Sequence, residues 1–326
     1  MSLDLFIDNL LSPAVLFFGL GILATAVRSD LKVPEPVAKL FSLYLLWAIG
    51  FKGGHALREA GLVWETLTPV LAAVGFSIVV PLVLFPLFRT RLGTDDACGL
   101  AAAYGSVSVV TFLAATDFLE ARQIEYGGEM VAALALMESP PIIVALFLRQ
   151  LVMRGKTPDH ALRTPKREIF RESLTSGPVF LLLGSLLAGL LISPSRFEPL
   201  RAFTFDIFHG VLVLFLLEAG IVAGGRMREL KKVGPLVLAA AVVVPVVNAA
   251  IGLGISAALG LSPGNGLLFM VLAASASYIA VPAVLRIGVP EANSGLFLSM
   301  SLGVTFPFNV CLGVPLYLMA VGWAGL

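Results

Sequence analysis

Residues 233–285 read VGPLVLAAAVVVPVVNAAIGLGISAALGLSPGNGLLFMVLAASASYIAVPAVL, with no Asp, Glu, Lys or Arg in 53 positions. A bilayer span needs about 20 apolar residues. This stretch is therefore two membrane helices, parted by the Gly260-Leu-Ser-Pro263 punctuation. Working outward, residues 292–326, 173–195 and 66–88 are likewise free of charge. Gly, Pro and charge divide the chain into ten expected spans: 12–28, 36–52, 68–88, 97–117, 130–148, 177–193, 203–223, 235–258, 264–284 and 296–322. The expected fold is an all-α polytopic membrane protein.

Composition agrees. Of 326 residues, 58% are hydrophobic and 13% charged, with a mean hydropathy of +0.96. A soluble domain carries about 25% charged residues, so this chain cannot cover itself in water. That excludes a secreted domain, a cytosolic enzyme, a disordered tail and a nucleic-acid binder. A net charge of +1 sets up no field to recruit an acidic partner. Cys98 and Cys311 sit in apolar runs and read as small buried hydrophobes. The opening Met1-Ser2-Leu3-Asp4 has no basic region and runs into the first span without a cleavage-like site, unlike a signal peptide.

Lys and Arg set the orientation. With the 149–176 linker in the cytoplasm, 17 basic residues fall inside and 5 (Lys52, Arg58, Arg122, Arg196, Arg201) outside. Ten spans then put both termini outside. The expected location is the plasma (inner) membrane. The linker's basic residues read as a topology signal and lipid-headgroup contact, with regulatory docking as the sharper alternative.

The chain repeats itself. Gly50, Gly54, Arg58 and Glu59 match Gly220, Gly224, Arg228 and Glu229 at an offset of 170, and Ser106 and Ser108 match Ser275 and Ser277 at 169. Pro13, Pro81 and Pro140 face Pro178, Pro245 and Pro307 in the same order. The expected units are residues 1–148 and 177–326, five spans each. An odd number of spans makes the second copy inverted, as in secondary transporters that bind substrate near the midplane between repeats.

The serine pairs mark the candidate site. The fourth span reads Ala102-Ala-Tyr-Gly-Ser-Val-Ser-Val-Val-Thr111, and the ninth Ala273-Ala-Ser-Ala-Ser-Tyr-Ile-Ala-Val-Pro282. Small residues, hydroxyls and a proline suit helices that break at mid-membrane. Freed N–H groups there would donate to an anion, and freed carbonyls and hydroxyls would ligate a cation such as sodium. The bland reading is close helix crossing, which small residues also allow. Among acids inside spans, which are expensive, Glu138 before Pro140-Pro141 is the first candidate for a cation ligand. Asp117 and Glu120 lie at a span end, Glu218 sits in the seventh span, and Asn248 and Asn309 read as helix bridges, with ligand binding as the alternative. His55, His160 and His209 are scattered and form no metal set. No Walker A segment, Ser-His-Asp set or HExxH pattern is present, so the chain reads as no enzyme and as driven by an ion gradient.

At these residues the chain resembles the cyanobacterial sodium-dependent bicarbonate transporter family. The resemblance is closest in Ala274-Ser-Ala-Ser-Tyr-Ile-Ala-Val-Pro-Ala283 with Arg286. It recurs at Gly105, Val107-Ser108, Thr111, Ala114-Ala115, Leu119-Glu120, Ile124 and Tyr126, and at Gly53-Gly54. It implies crossed broken helices 4 and 9, gate and core domains, a homotrimer, and sodium-dependent import of bicarbonate. Carried over by motif, Ser108 and Ser277 would donate to the anion, with Ser275, Ser106, Gly105 and Ala276 around it. Glu138, Tyr278 and Thr111 would serve sodium, the coupling ion. The chain departs from the family in Val109-Val110 after Ser108, in Glu138 where the family has Asp, and in a short linker for a PII-like regulator. The rivals are a carrier for another small anion or carboxylate, and an anion sensor that does not transport.

Overall fold

A computed structural model describes residues 2–61, 63–153, 177–229 and 234–326, and among these every regular element is helical. In chain order the main helices are α1 (Ser2–Leu10), α2 (Pro13–Ala26), α3 (Glu35–Ala60), α4 (Trp64–Arg89), α5 (Thr94–Gly105), α6 (Val109–Glu120), α7 (Gly128–Leu136) and α8 (Pro140–Met153). They continue with α9 (Gly177–Leu191), α10 (Ile207–Glu229), α11 (Pro235–Leu259), α12 (Pro263–Ala274), α13 (Ala280–Gly288), α14 (Ser294–Met300) and α15 (Val314–Trp323). Most of the linker expected at 149–176 lies outside the described residues; its start, to Met153, belongs to α8.

Helix starts and stops follow the local chemistry. Ser12 and Ser262 accept hydrogen bonds from backbone N–H groups three residues on, each followed by proline as the first helical residue, where its missing donor costs nothing. Gly260, in the left-handed region at φ 62°, ends α11.

Among the described residues, six helical segments are long and apolar enough to cross a membrane: Trp64–Arg89, Thr94–Glu120, Gly128–Met153, Ala202–Arg228, Val237–Leu259 and Ser294–Trp323. A seventh is the pair α1 and α2, bent by 59°. The chain is thus a polytopic membrane protein. Leu67, Leu71, Val79, Leu82, Val83 and Leu87 of α4 are exposed, as are Val243, Val247 and Ile251 of α11. Such stripes would be costly in water and belong against lipid. Three expected spans lie outside this set. α3 is 26 residues long but carries Lys39 and Lys52, α9 is described over 15 residues from Gly177, and the ninth span is split between α12 and α13.

Two helix pairs bring the early and late parts of the chain together, α2 on α10 and α3 on α9. Both contacts are glycine-faced. A Cβ on Gly21 would meet the Leu217 carbonyl oxygen, and one on Gly220 the Phe18 carbonyl. In the other pair, Gly54 lies on the Leu186 carbonyl and Gly189 on that of Phe51. Backbones approach this closely only where side chains are missing. α4 packs on α5 and α11 on α12, and the broken helices cross between them, α6 against α12 and α13 against α5.

The crossing is tied at both ends. At one, Asn293 N–H donates to Asp96 Oδ1 at 2.8 Å, and Arg149 bridges Asp95 (2.5 Å) and Glu291 (3.3 Å). At the other, Gly127 N–H donates to Asn265 Oδ1 at 2.7 Å, and Asn265 Nδ2 to buried Glu129 at 2.6 Å.

Candidate functional site

The two serine segments are where their helices break. α5 stops at Gly105, and Ser106 is extended at φ −87°, ψ −179°. Gly105 is wedged where a Cβ would press on Pro81 and Pro141. α6 restarts after Ser108, whose Oγ caps it, accepting from Thr111 N–H at 3.2 Å and from Thr111 Oγ1 at 2.9 Å. α12 ends at Ala274, Ser275 is extended at φ −83°, ψ 168°, and α13 begins at Ala280. Pro282 falls in its first turn, where no N–H is needed.

The breaks are bonded to each other. Ser277 N–H donates to the Ala103 carbonyl at 2.9 Å, and Ser108 N–H to Ser275 Oγ at 3.0 Å. Asn309 Nδ2 donates to the Ala274 carbonyl at 2.9 Å and is held by Tyr317 Oη at 2.8 Å. Asn309 is the helix bridge expected of it, and it opens a π-helical turn, Asn309–Gly313, in the last span. Ser106 Oγ donates to the Glu138 carbonyl at 3.1 Å. Two helix N-termini and two C-termini therefore converge. Each carries roughly half an elementary charge, positive at an N-terminus and negative at a C-terminus. One place thus offers a positive surface for an anion and a negative one for a cation.

A cavity of about 20 Å³ lies at this crossing, room for a water or two. Ser108, Ser277, Tyr278 and Glu138 all line it. Ser108, Ser277 and Glu138 are buried. Tyr278 Oη is also buried. The other expected site residues surround the cavity without lining it. Ser275 spends its hydroxyl on Ser108 N–H and the Leu272 carbonyl. Thr111 is committed to Ser108, Ser106 to the Glu138 backbone, and Gly105 and Ala276 are packed. Ser42 of α3 and Phe215 of α10 also line the cavity and were not expected there. The lone hydroxyl in Leu40-Phe41-Ser42-Leu43 was the available signal for Ser42.

Apolar helices wrapped around two mutually bonded broken helices define a polytopic membrane protein with a polar centre buried among its helices. A family model described as the Na+-dependent bicarbonate transporter superfamily matches residues 13–322, and the chain belongs to that superfamily. No curated protein matches the chain.

Proposed function

We propose that this protein is a secondary active carrier that imports bicarbonate, or a similarly small anion, together with sodium. One observation carries the reading: Ser108 and Ser277, from the two breaks, face one cavity that Glu138 and Tyr278 also line. The anion would sit at the N-termini of α6 and α13, taking hydroxyl protons from the two serines. Sodium would sit toward Glu138 and the ends of α5 and α12. Membership of the superfamily supports this substrate pair and a transporter rather than an enzyme.

The reading includes ten spans in two inverted repeats, residues 1–148 and 177–326. In support, α2 packs on α10 while α9 packs on α3, each contact built on glycines near the same repeat positions. It also takes both termini to be outside a plasma membrane, with the linker inside. A homotrimer and a PII-like regulator at that linker are carried over from the resemblance. One sodium with one bicarbonate is electroneutral, so the sodium concentration gradient alone would drive that stoichiometry. Each further sodium would add about 2.3 kcal/mol per 100 mV.

The test is uptake of labelled bicarbonate into proteoliposomes under an inward sodium gradient. Uptake that collapses when choline replaces sodium is the expected result. Binding of bicarbonate without accumulation would replace the carrier with a sensor. Stronger competition by a carboxylate or sulfate would change the substrate.

A further inference from the structure

Beyond the crossing, the far end of α6 carries a second polar cluster, in which Lys52 is buried, Asp117 and Glu120 are partly buried and His209 is half exposed. Lys52 of α3, itself buried, donates to Glu120 Oε1 at 2.9 Å and lies 4.2 Å from the ring centre of Phe208 and 4.6 Å from that of Phe205. Tyr126 Oη donates to the same oxygen at 2.7 Å. Burial, with Glu120 alongside, holds that phenol well above its usual value, so Tyr126 stays a donor. His209 of α10 faces two carboxylates. Its Nδ1 is 2.5 Å from Asp117 Oδ1, and its Nε2 is 3.4 Å from Glu120 Oε2. Neutral imidazole has one N–H to donate, and only the cation has two. His209 can therefore donate to both carboxylates at once only when it is protonated.

The cluster sits where α6 meets two helices outside the crossing. Lys52 and Glu120 line a cavity of about 700 Å³ between α3, the 121–127 loop and α7. Ile49 lines this cavity, and Leu46, less than one turn away, lines the crossing cavity. Leu46, Ile49 and Leu113 are all buried and would form the seal between the two spaces. Any separation of α6 from α3 and α10 must open this seal, and the ion pairs oppose that separation.

We propose that His209 is a positioning residue whose protonation latches α6, and with it Ser108, against α10 and α3. The charged groups facing it are Asp117 and Glu120 on α6, and Lys52 on α3. In acid, two cations meet two carboxylates and the seal is held. Through the range in which histidine loses its proton, one contact is lost, a carboxylate is left without its cation, and α6 is released. The carrier would then work best where carbonic acid is most fully bicarbonate. This step rests on the carrier reading, but its first test does not use transport.

Ser42→Cys places a thiol in the crossing cavity, in a background of Cys98→Ala and Cys311→Ala. Its labelling by a membrane-impermeant maleimide is compared with that of exposed Ser195→Cys, which corrects for the ionisation of a free thiol, and the His209 variants share whatever shift the cavity adds. With His209 intact, the relative rate should rise at least about threefold from about pH 6 to about pH 8. His209→Gln should be fast at both values, and His209→Arg, permanently charged, slow at both. A flat ratio with His209 intact overturns the latch, as does a Gln or Arg variant that follows the pH dependence of the parent. Uptake at fixed bicarbonate concentration should lose its acid inhibition in His209→Gln. Absence of sodium-dependent uptake at every pH would count against the carrier and leave the labelling result to decide the latch.

Discussion

Ser108 and Ser275 are both buried hydroxyls in matching motifs, and they do different jobs. Ser108 Oγ accepts two bonds from Thr111 and lines the cavity. Ser275 Oγ gives its proton to the Leu272 carbonyl and accepts from Ser108 N–H. Ser108→Ala and Ser277→Ala should each lower uptake at least tenfold, about 1.4 kcal/mol, with normal membrane levels. Ser106→Ala should do less. Ser275→Ala should act on stability instead, leaving a buried N–H unpaired at about 1–3 kcal/mol, read as a lower melting temperature of the purified protein. If Glu138 holds the cation, Glu138→Gln should raise the sodium concentration for half-maximal uptake more than it lowers protein level. Normal sodium activation in that variant would remove Glu138 from the site. The serine motif announced the place but not this division of labour, because a sequence does not say whether a hydroxyl faces a cavity or a carbonyl.

Among the elements, the breaks were the most legible feature. Small residues, hydroxyls and a proline leave an apolar run too little local preference to stay helical. α1 lies outside the ten expected spans, because Asp4 and Asp8 interrupt its short apolar run. The π-helical turns at Ser301–Thr305 and Asn309–Gly313 were missed too, since hydrophobic periodicity cannot register one extra residue per turn. The glycine matches were read as marks of a repeat, and the structure gives them a mechanical meaning. Gly54→Val should push α9 off α3, and Gly21→Val should do the same to α2 and α10. Both should reduce folded protein in the membrane severely. Gly75→Val is the control, because a Cβ at Gly75 meets nothing within 4 Å. Equal yields of the three variants would refute the close-packing account.

On the scale of the whole molecule, the ties at the two ends of the crossing use different chemistry for one task. Asp96 and Asn265 stand 169 residues apart, each at the start of a broken helix, and each accepts from a loop N–H beyond the other break. Asp96→Ala and Asn265→Ala should each loosen one end, seen as faster hydrogen exchange at Asn293 or Gly127 respectively. No spacing rule marks such partners, since they meet only after the chain has crossed itself. The partnerships of α3 also bear on how the chain is made. Lys52 waits for Glu120, synthesised 68 residues later, and the glycine face of α3 waits for α9, later still. The leading helices must therefore leave the ribosome before either debt of charge or packing is met. A nascent chain arrested before Glu120 emerges should hold α3 in the bilayer poorly, and one arrested beyond α9 should hold it firmly. The order of synthesis thus makes this membrane protein a client of whatever machinery shelters half-finished helices in the bilayer.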